Sequence, residues 1–310
     1  APGIQVTARP GVRNHPAHLL HLNRARQGPQ RQNPAPVDVA GESPGLLLHD
    51  DHDVMPDAVV EGVMDPRGPG TLPEAGFPQS FLAEDDEESR RWRTNFVRTL
   101  LERDMPQLGV QIPAEVLRRF WTMVAHYHGQ AWNGSEIGAS LGVTHHTTRR
   151  YLDILTGAYV VRQLQPWFEN LGKRLVRAPK VYVRDSGLLH SLLNIPDQPS
   201  LQAHPKLGAS WEGFVIEQIL SWTGERNAWF WGTHAGAELD LIISAKGKRW
   251  GFEIKYQDAP TLTKSMRIAM HDLKLERLWV LYPGKTGYPM DKHIECVPLA
   301  RLDEIRSALE

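Results

Sequence analysis

Apolar residues first recur with a regular period near residue 77. Between Glu87 and Met105, Trp92, Phe96 and Leu100, together with Val97 and Leu101, fall at helical spacing and predict an amphipathic helix. Pro113 and Ala114 open a second helix, with Val116, Leu117, Phe120, Trp121, Val124 and Tyr127 along one stripe. Asn133 to Gly142 reads as a short helix stopped by glycine, and Thr144 caps the next, which runs to about Thr156. That helix is expected to turn Val143, Thr147, Tyr151, Ile154 and Leu155 inward. Val160–Trp167 and Arg174–Val183 read as the strands of a hairpin across residues 170–173. Ser186–Leu193 is a further helix, 194–206 a polar linker, and Gly208–Trp222 a helix with Glu212 and Glu217 set among apolar residues.

The period then changes to two. Ala237–Ile242 and Phe252–Tyr256 read as strands joined by the turn-like Ser244–Arg249. Residues two apart in a strand share a face. Glu238 and Asp240 are therefore expected to point one way, with Leu239 and Leu241 opposite. Glu253 and Lys255 are expected to share a face, with Phe252 and Ile254 behind them. Thr261–Leu273 follows as a helix, Leu278–Tyr282 as a buried strand, Ile294–Val297 as another strand and Leu299–Leu309 as a last helix. The fold class is α+β passing into α/β. A helical domain over 77–194 holds a helix-turn-helix and a hairpin, which is the order of a winged helix. A mixed-sheet domain with flanking helices covers 205–310.

Residues 1–76 break this pattern. They hold 11 of the 23 prolines, no aromatic residue and no lysine, so they lack the large side chains that offset ordering entropy. An irregular or disordered segment is expected, and a shifted reading frame is compatible with the same composition. The net charge of −1 forces no nucleic-acid or membrane partner. A single cysteine, Cys296, excludes an internal disulfide framework and suits a reducing compartment. No apolar run approaches the ~20 residues of a membrane span, and no signal-peptide core is present, so a cytoplasmic protein is expected.

Charge is uneven locally. Between Gly129 and Asp185 eight Lys or Arg stand against four acids, an excess of four positive charges that suits phosphate contacts. The start of the second helix of the helix-turn-helix offers His145, Thr148, Arg149 and Arg150, and the hairpin turn adds Lys173 and Arg174, as candidate DNA contacts. A protein-docking surface with a solvated basic face fits the same residues. His145 and His146 are adjacent on a helix and diverge by about 100°, so they form no metal pair.

The later hairpin collects carboxylates from Glu238, Asp240 and Glu253 beside the Lys255 ammonium. Such a group is expensive to bury unless it binds something, usually a divalent cation. The pattern resembles the PD-(D/E)XK (restriction-endonuclease-like) site. That resemblance implies Mg2+ on Asp240 and Glu253, a further ligand from Glu212 or Glu238, and Lys255 activating the attacking water. Two ordinary strands with one solvated face fit the pattern as well, and this chain spells Glu-Leu-Asp where the family has Pro-Asp. Pro283-Gly284-Lys285-Thr286 looks like the end of a P-loop, but G-x-x-x-x-G-K-S/T needs glycine where Trp279 stands. No nucleotide site is found.

From about Gly76 to Glu310 the chain resembles a bacterial family of AAA+-type P-loop ATPases whose C-terminal part is a winged helix followed by a PD-(D/E)XK-like domain of unknown function. The matching stretches are Gly76-Phe77-Pro78, Tyr151-Leu152-Asp153-Ile154-Leu155, Lys180 through Leu188, Trp211-Glu212-Gly213-Phe214-Val215, Glu238 through Ile242 and Glu253-Ile254-Lys255. In that family an ATPase module precedes the Gly-Phe-Pro stretch, whereas residues 1–76 hold no P-loop. The chain reads as a member without its ATPase half. The resemblance carries over no settled activity. Because the ATPase half is missing, a recognition module that binds DNA, a partner protein or an ATPase module is expected. The alternative is a Mg2+-dependent DNA nuclease with Asp240, Glu253 and Lys255 as its catalytic residues.

Overall fold

The computed structural model describes residues 77–168 and 175–309, which fall within one compact unit. The expectation for residues 1–76, and the candidates Lys173 and Arg174, lie outside the described residues.

Helix α1 (Pro78–Phe81) precedes α2 (Asp86–Thr99), which starts where the Asp85 side chain accepts the Glu88 N–H at 2.7 Å. A π-helical turn, Leu100–Asp104, extends α2 toward Met105–Gln107. Then come α3 (Ala114–His126), β1 (Gln130–Ala131), α4 (Gly134–Leu141) and α5 (His145–Gly157). Asn133 and Thr144 cap α4 and α5 by accepting the N–H groups of Glu136 and Thr147. The α4–α5 corner is tight because of a glycine at 138. A Cβ there would lie 2.7 Å from the Val143 carbonyl oxygen.

Strand β2 (Val161–Leu164) pairs antiparallel with β3 (Lys180–Val183), and the short β1 takes the other edge of β3. The hairpin is shorter than its sequence pattern predicts. Past Leu164 and before Lys180 the arms leave their own sheet and lie along the next one. Trp167 N–H donates to the Phe230 carbonyl at 2.6 Å, and Val176 N–H to that of Gly232 at 2.9 Å. The arms thereby cover an edge that would otherwise present unpaired backbone groups.

Helix α6 (Ser186–Leu192) is capped by Asp185, and α7 (Gln198–Gln202) occupies the stretch expected to be a linker. Helix α8 (Leu207–Thr223) leads into β4 (Ala228–Gly232), β5 (Glu238–Ala245), β6 (Lys248–Ile254), α9 (Lys264–Asp272), β7 (Arg277–Tyr282), β8 (Tyr288–Asp291), β9 (Ile294–Pro298) and α10 (Leu302–Leu309). These strands form a six-stranded mixed sheet in the order β4-β5-β6-β7-β9-β8. The pairs β4–β5 and β5–β6 are antiparallel, β6–β7 and β7–β9 parallel, and β8 closes the far edge antiparallel. The β5–β6 turn is only Lys246 and Gly247, with φ +52° and +72°, a left-handed pair that matches strand twist.

One layer of core packs α8 and α10 on the sheet through residues such as Val215, Ile219, Phe252 and Ile305. Another packs α9 on the opposite face through Met266, Ala269 and Val280. A third gathers α2, α3, α5 and α6 around the three-stranded sheet. Each fully buried Leu, Ile or Phe contributes ~1.5–3 kcal/mol relative to exposure.

Strict alternation in β5 fails at one place. Trp229 pairs with Ile242 but Trp231 pairs with Leu239, so β5 carries one extra residue at Asp240–Leu241. Leu239 consequently packs with Ile242 on the α9 side, while Leu241 and Ile243 pack on the α8 side. The expectation that Leu239 and Leu241 share a face is corrected by this β-bulge, a device that re-aims side chains.

The three-stranded sheet meets α8 around a buried histidine. His128 Nδ1 accepts the Val183 N–H at 3.0 Å, and its Nε2 donates to the Ala209 carbonyl at 3.0 Å. Burial lowers this imidazole to about 3, so it stays neutral in that tautomer. Gly213 makes room for it: a Cβ would lie 2.5 Å from His128 Nε2 and 3.2 Å from the Tyr182 ring. Gly213→Ala is expected to cost about 2–3 kcal/mol through overpacking. Urea unfolding checks this, and an unchanged midpoint would show that the three elements are not in tight contact.

Candidate functional site

The site grows from the alternation of β3. Lys180 and Tyr182 share one face of the strand, and Arg184 follows just past its end. Arg162 of β2 lies opposite Tyr182. All four side chains meet carboxylates carried by α8 and the segment after it. Arg162 forks onto Glu217, with Nη2 to Oε2 at 2.7 Å, and Arg184 Nε reaches the same carboxylate at 3.2 Å. Both arginines also reach Glu225 at 3.0 Å.

Glu212 receives the Tyr182 hydroxyl at 2.6 Å and the Lys180 ammonium at 3.0 Å on one oxygen. The same ammonium pairs with Glu238 and lies 3.6 Å from Asp240 Oδ1. Lys180 is 5% exposed, so three carboxylates surround a buried cation that comes from a different sheet. Asp240 Oδ2 accepts the Ile254 N–H at 2.9 Å, which fixes the bulged side chain against β6. Along β6 and just past its end, Lys255 Nζ holds Glu253 Oε1 at 2.7 Å. Glu253 Oε2 is buried and meets no hydrogen-bond donor among the described residues.

These contacts set the protonation of the cluster. Burial alone lowers the Lys180 ammonium, but Tyr182, Glu212, Asp240 and Glu238 together raise it well above the ordinary lysine value. Burial raises the Glu212 carboxyl to about 6, helped by Asp240 and opposed by Lys180 and Tyr182. Burial, then Asp240, pushes Glu253 further, to about 8, against the pull of Lys255. Lys255 loses to burial but is raised overall by Asp240 and Glu253.

The structure therefore brings Asp240, Glu253, Lys255, Glu212 and Glu238 into one electrostatic neighbourhood. Asp240, Glu253 and Glu212 are buried or nearly so, while Glu238 sits at its exposed rim. Among the described residues no three His, Cys, Asp or Glu side chains stand in a ready metal-binding arrangement. In the fit to a divalent cation, the unpaired Glu253 oxygen is in favour, and Lys180 occupies the space between the other carboxylates. Sequence reasoning missed Lys180 and Tyr182 as members of the site. Their signal is the run Lys180-Val181-Tyr182-Val183-Arg184, whose polar residues alternate with valines along one strand.

The candidate DNA contacts divide differently. His145, Arg149 and Arg150 are exposed at the start of α5, with the His145 and His146 rings 4.0 Å apart and Arg149 paired to Asp153 at 3.1 Å. Thr148 is fully buried, and its hydroxyl donates to the carbonyls of Gly134 and His145. Its expected exposure is corrected: Thr148 and Leu152 are buried along with the expected Leu155, while Tyr151 and Ile154 of the predicted stripe pack half-buried beside them. The local positive excess is corrected too, because Arg162 and Lys180 are buried in ion pairs.

Residues 73–199 match a model described as Domain of unknown function (DUF8612), and residues 207–302 one described as Domain of unknown function (DUF4143). An uncharacterized protein of Mycobacterium bovis and one of Mycobacterium tuberculosis are each 52% identical over 223 residues, covering 72% of this chain and 51% of theirs. The chain thus spans about half the length of the curated relatives it matches. No solved structure matches it. Among the described residues no helix is long and apolar enough to cross a membrane.

The raised Glu253 carboxyl has a signed consequence for stability. Below pH 4.5 the group is protonated in folded and unfolded chains alike and costs nothing. As pH rises toward 8 the unfolded chain ionises first, so the folded state is increasingly penalised. Glu253→Gln is expected to raise the melting temperature at pH 8.5 in metal-free buffer by at least ~3 °C, and to lose that gain near pH 4.5. No gain at pH 8.5 would show that Glu253 is ionised without penalty, and a gain independent of pH would show that it does not come from this carboxyl's titration.

Proposed function

We propose that this chain is the recognition module of an AAA+-type ATPase system, acting in the cytoplasm. In this reading the α4–α5 pair with β2 and β3 is a winged helix, and residues 205–310 are a PD-(D/E)XK-like domain. The exposed start of α5, with His145, Arg149 and Arg150, contacts duplex DNA through its phosphates. The match covers 51% of each relative, which leaves room in them for an ATPase half.

The carrying observation is the Lys180 ammonium seated among Glu212, Glu238 and Asp240. A metal-dependent nuclease keeps such carboxylates available to Mg2+, a hard cation that needs oxygen ligands. Here an ammonium from the neighbouring sheet supplies the compensating charge, and the carboxylates serve to hold the winged helix. The arms beyond β2 and β3 support the same reading, because their backbone is committed to β4 rather than free to track a groove.

A second reading, the Mg2+-dependent DNA nuclease, is favoured by the unpaired Oε2 of Glu253. Asp240, Glu253, Glu212 and Glu238 would then hold the ion, which polarises a phosphoryl oxygen and lowers the pKa of bound water. Lys255, steadied by Glu253, orients the attacking water, and Lys180 has to leave the cluster.

Supercoiled plasmid incubated with the protein and Mg2+ separates the two. The recognition module is expected to leave it intact. Cleavage abolished by Asp240→Ala and by Lys255→Ala would establish the nuclease instead. For the DNA contact, Arg149→Ala combined with Arg150→Ala is expected to weaken duplex binding about tenfold or more and to flatten its salt slope by about two. Unchanged affinity and slope would move the contact off α5.

A further inference from the structure

The arms that cover β4 bring a second set of side chains together, apart from the carboxylate cluster and α5. Trp167 on one arm and Trp229 on β4 meet edge to face, with centroids 4.8 Å apart, and both are half-buried. The Arg249 guanidinium of β6 lies over Trp167 at 5.6 Å. The next residue, Phe168, is 55% exposed, and Arg177 from the other arm lies over its ring at 5.9 Å. The adjacent β5–β6 turn adds the exposed Lys246. Neither Arg177 nor Lys246 forms an ion pair among the described residues.

Two features narrow what this strip can bind. The outward backbone groups of β4 are already engaged, since Phe230 N–H donates to the Gln165 carbonyl while Trp167 and Val176 donate to Phe230 and Gly232. A strand cannot be added there, so recognition has to run through side chains. Those side chains offer planar faces interleaved with cations. Aromatic rings and guanidinium planes stack on bases, and the positive charges meet the phosphates between them. A duplex presents phosphates but keeps its base faces stacked inside. An acidic peptide supplies charge but few planar faces.

We propose that this strip binds single-stranded nucleic acid, with Phe168 and Trp167 stacking on bases and Arg177 and Lys246 holding the backbone. The proposal is independent of the α5 reading, which concerns duplex DNA on a different element.

The test uses the full chain and a fluorescein-labelled oligo-dT, followed by anisotropy and by quenching of tryptophan fluorescence. Binding with quenching is expected at low salt. Phe168→Ala combined with Arg177→Ala is expected to weaken it about tenfold or more while leaving duplex binding unchanged. Arg149→Ala combined with Arg150→Ala is expected to leave the oligo-dT affinity alone. Arg177→Glu, which keeps the ring, gives the same loss without truncating an aromatic residue, and thermal melts verify that each variant is folded. Absence of oligo-dT binding, an oligo-dT affinity unmoved by Arg177→Glu, or competition by polyglutamate as strong as by oligo-dT would overturn the proposal.

Discussion

A buried ammonium needs several carboxylates, and carboxylates buried without a cation cost more than they give. Lys180 and Glu212 satisfy that requirement for each other, and the rest of the arrangement depends on it. The strand and the helix have compatible repeats. Tyr182 and Arg184 are about 6.8 Å apart along an extended chain, and Glu212 and Glu217 about 7.5 Å apart along α8. One strand face can therefore reach both carboxylates, with Arg162 reinforcing the second from β2. Gly213, one residue past Glu212, lets His128 and Tyr182 approach the helix closely enough for those contacts to form. The stretches around Lys180 and around Trp211 are thus two halves of one contact, although 30 residues separate Tyr182 from Glu212.

Much of this molecule is legible in its sequence because local signals agree with the fold. Thr144 and Gly142 mark the helix-turn-helix by capping and by a left-handed residue, and both effects are local. Glu253-Ile254-Lys255 places its acid and amine on one side of a strand, where the structure pairs them. The misreadings have tertiary causes. The β5 bulge depends on how β4 lies beside it, so strict alternation failed at Asp240. The hairpin arms read as one long β-ribbon, yet their outer halves pair with β4. Thr148 looks like a surface threonine, but the closeness of α4 turns it inward to bond the Gly134 carbonyl. Lys180 counted as a basic residue for phosphate, and only the position of α8 shows that its charge is already taken.

The same contact shapes the chemistry. A second ammonium, that of Lys180, stands among the acids beside Lys255 and takes up charge that would otherwise be left to a cation. The oxygen of Glu253 that lacks a donor is where the two descriptions part, since a metal would satisfy it and Lys180 does not.

The most direct measurement is a double-mutant cycle between Lys180→Met and Glu212→Gln, read by urea unfolding at pH 8. A buried pair that organises the contact is expected to show a coupling of about 2 kcal/mol or more, with the double variant less damaged than the sum of the single ones. Additivity within about 0.5 kcal/mol would mean that the two side chains stabilise the fold separately, and would contradict the account.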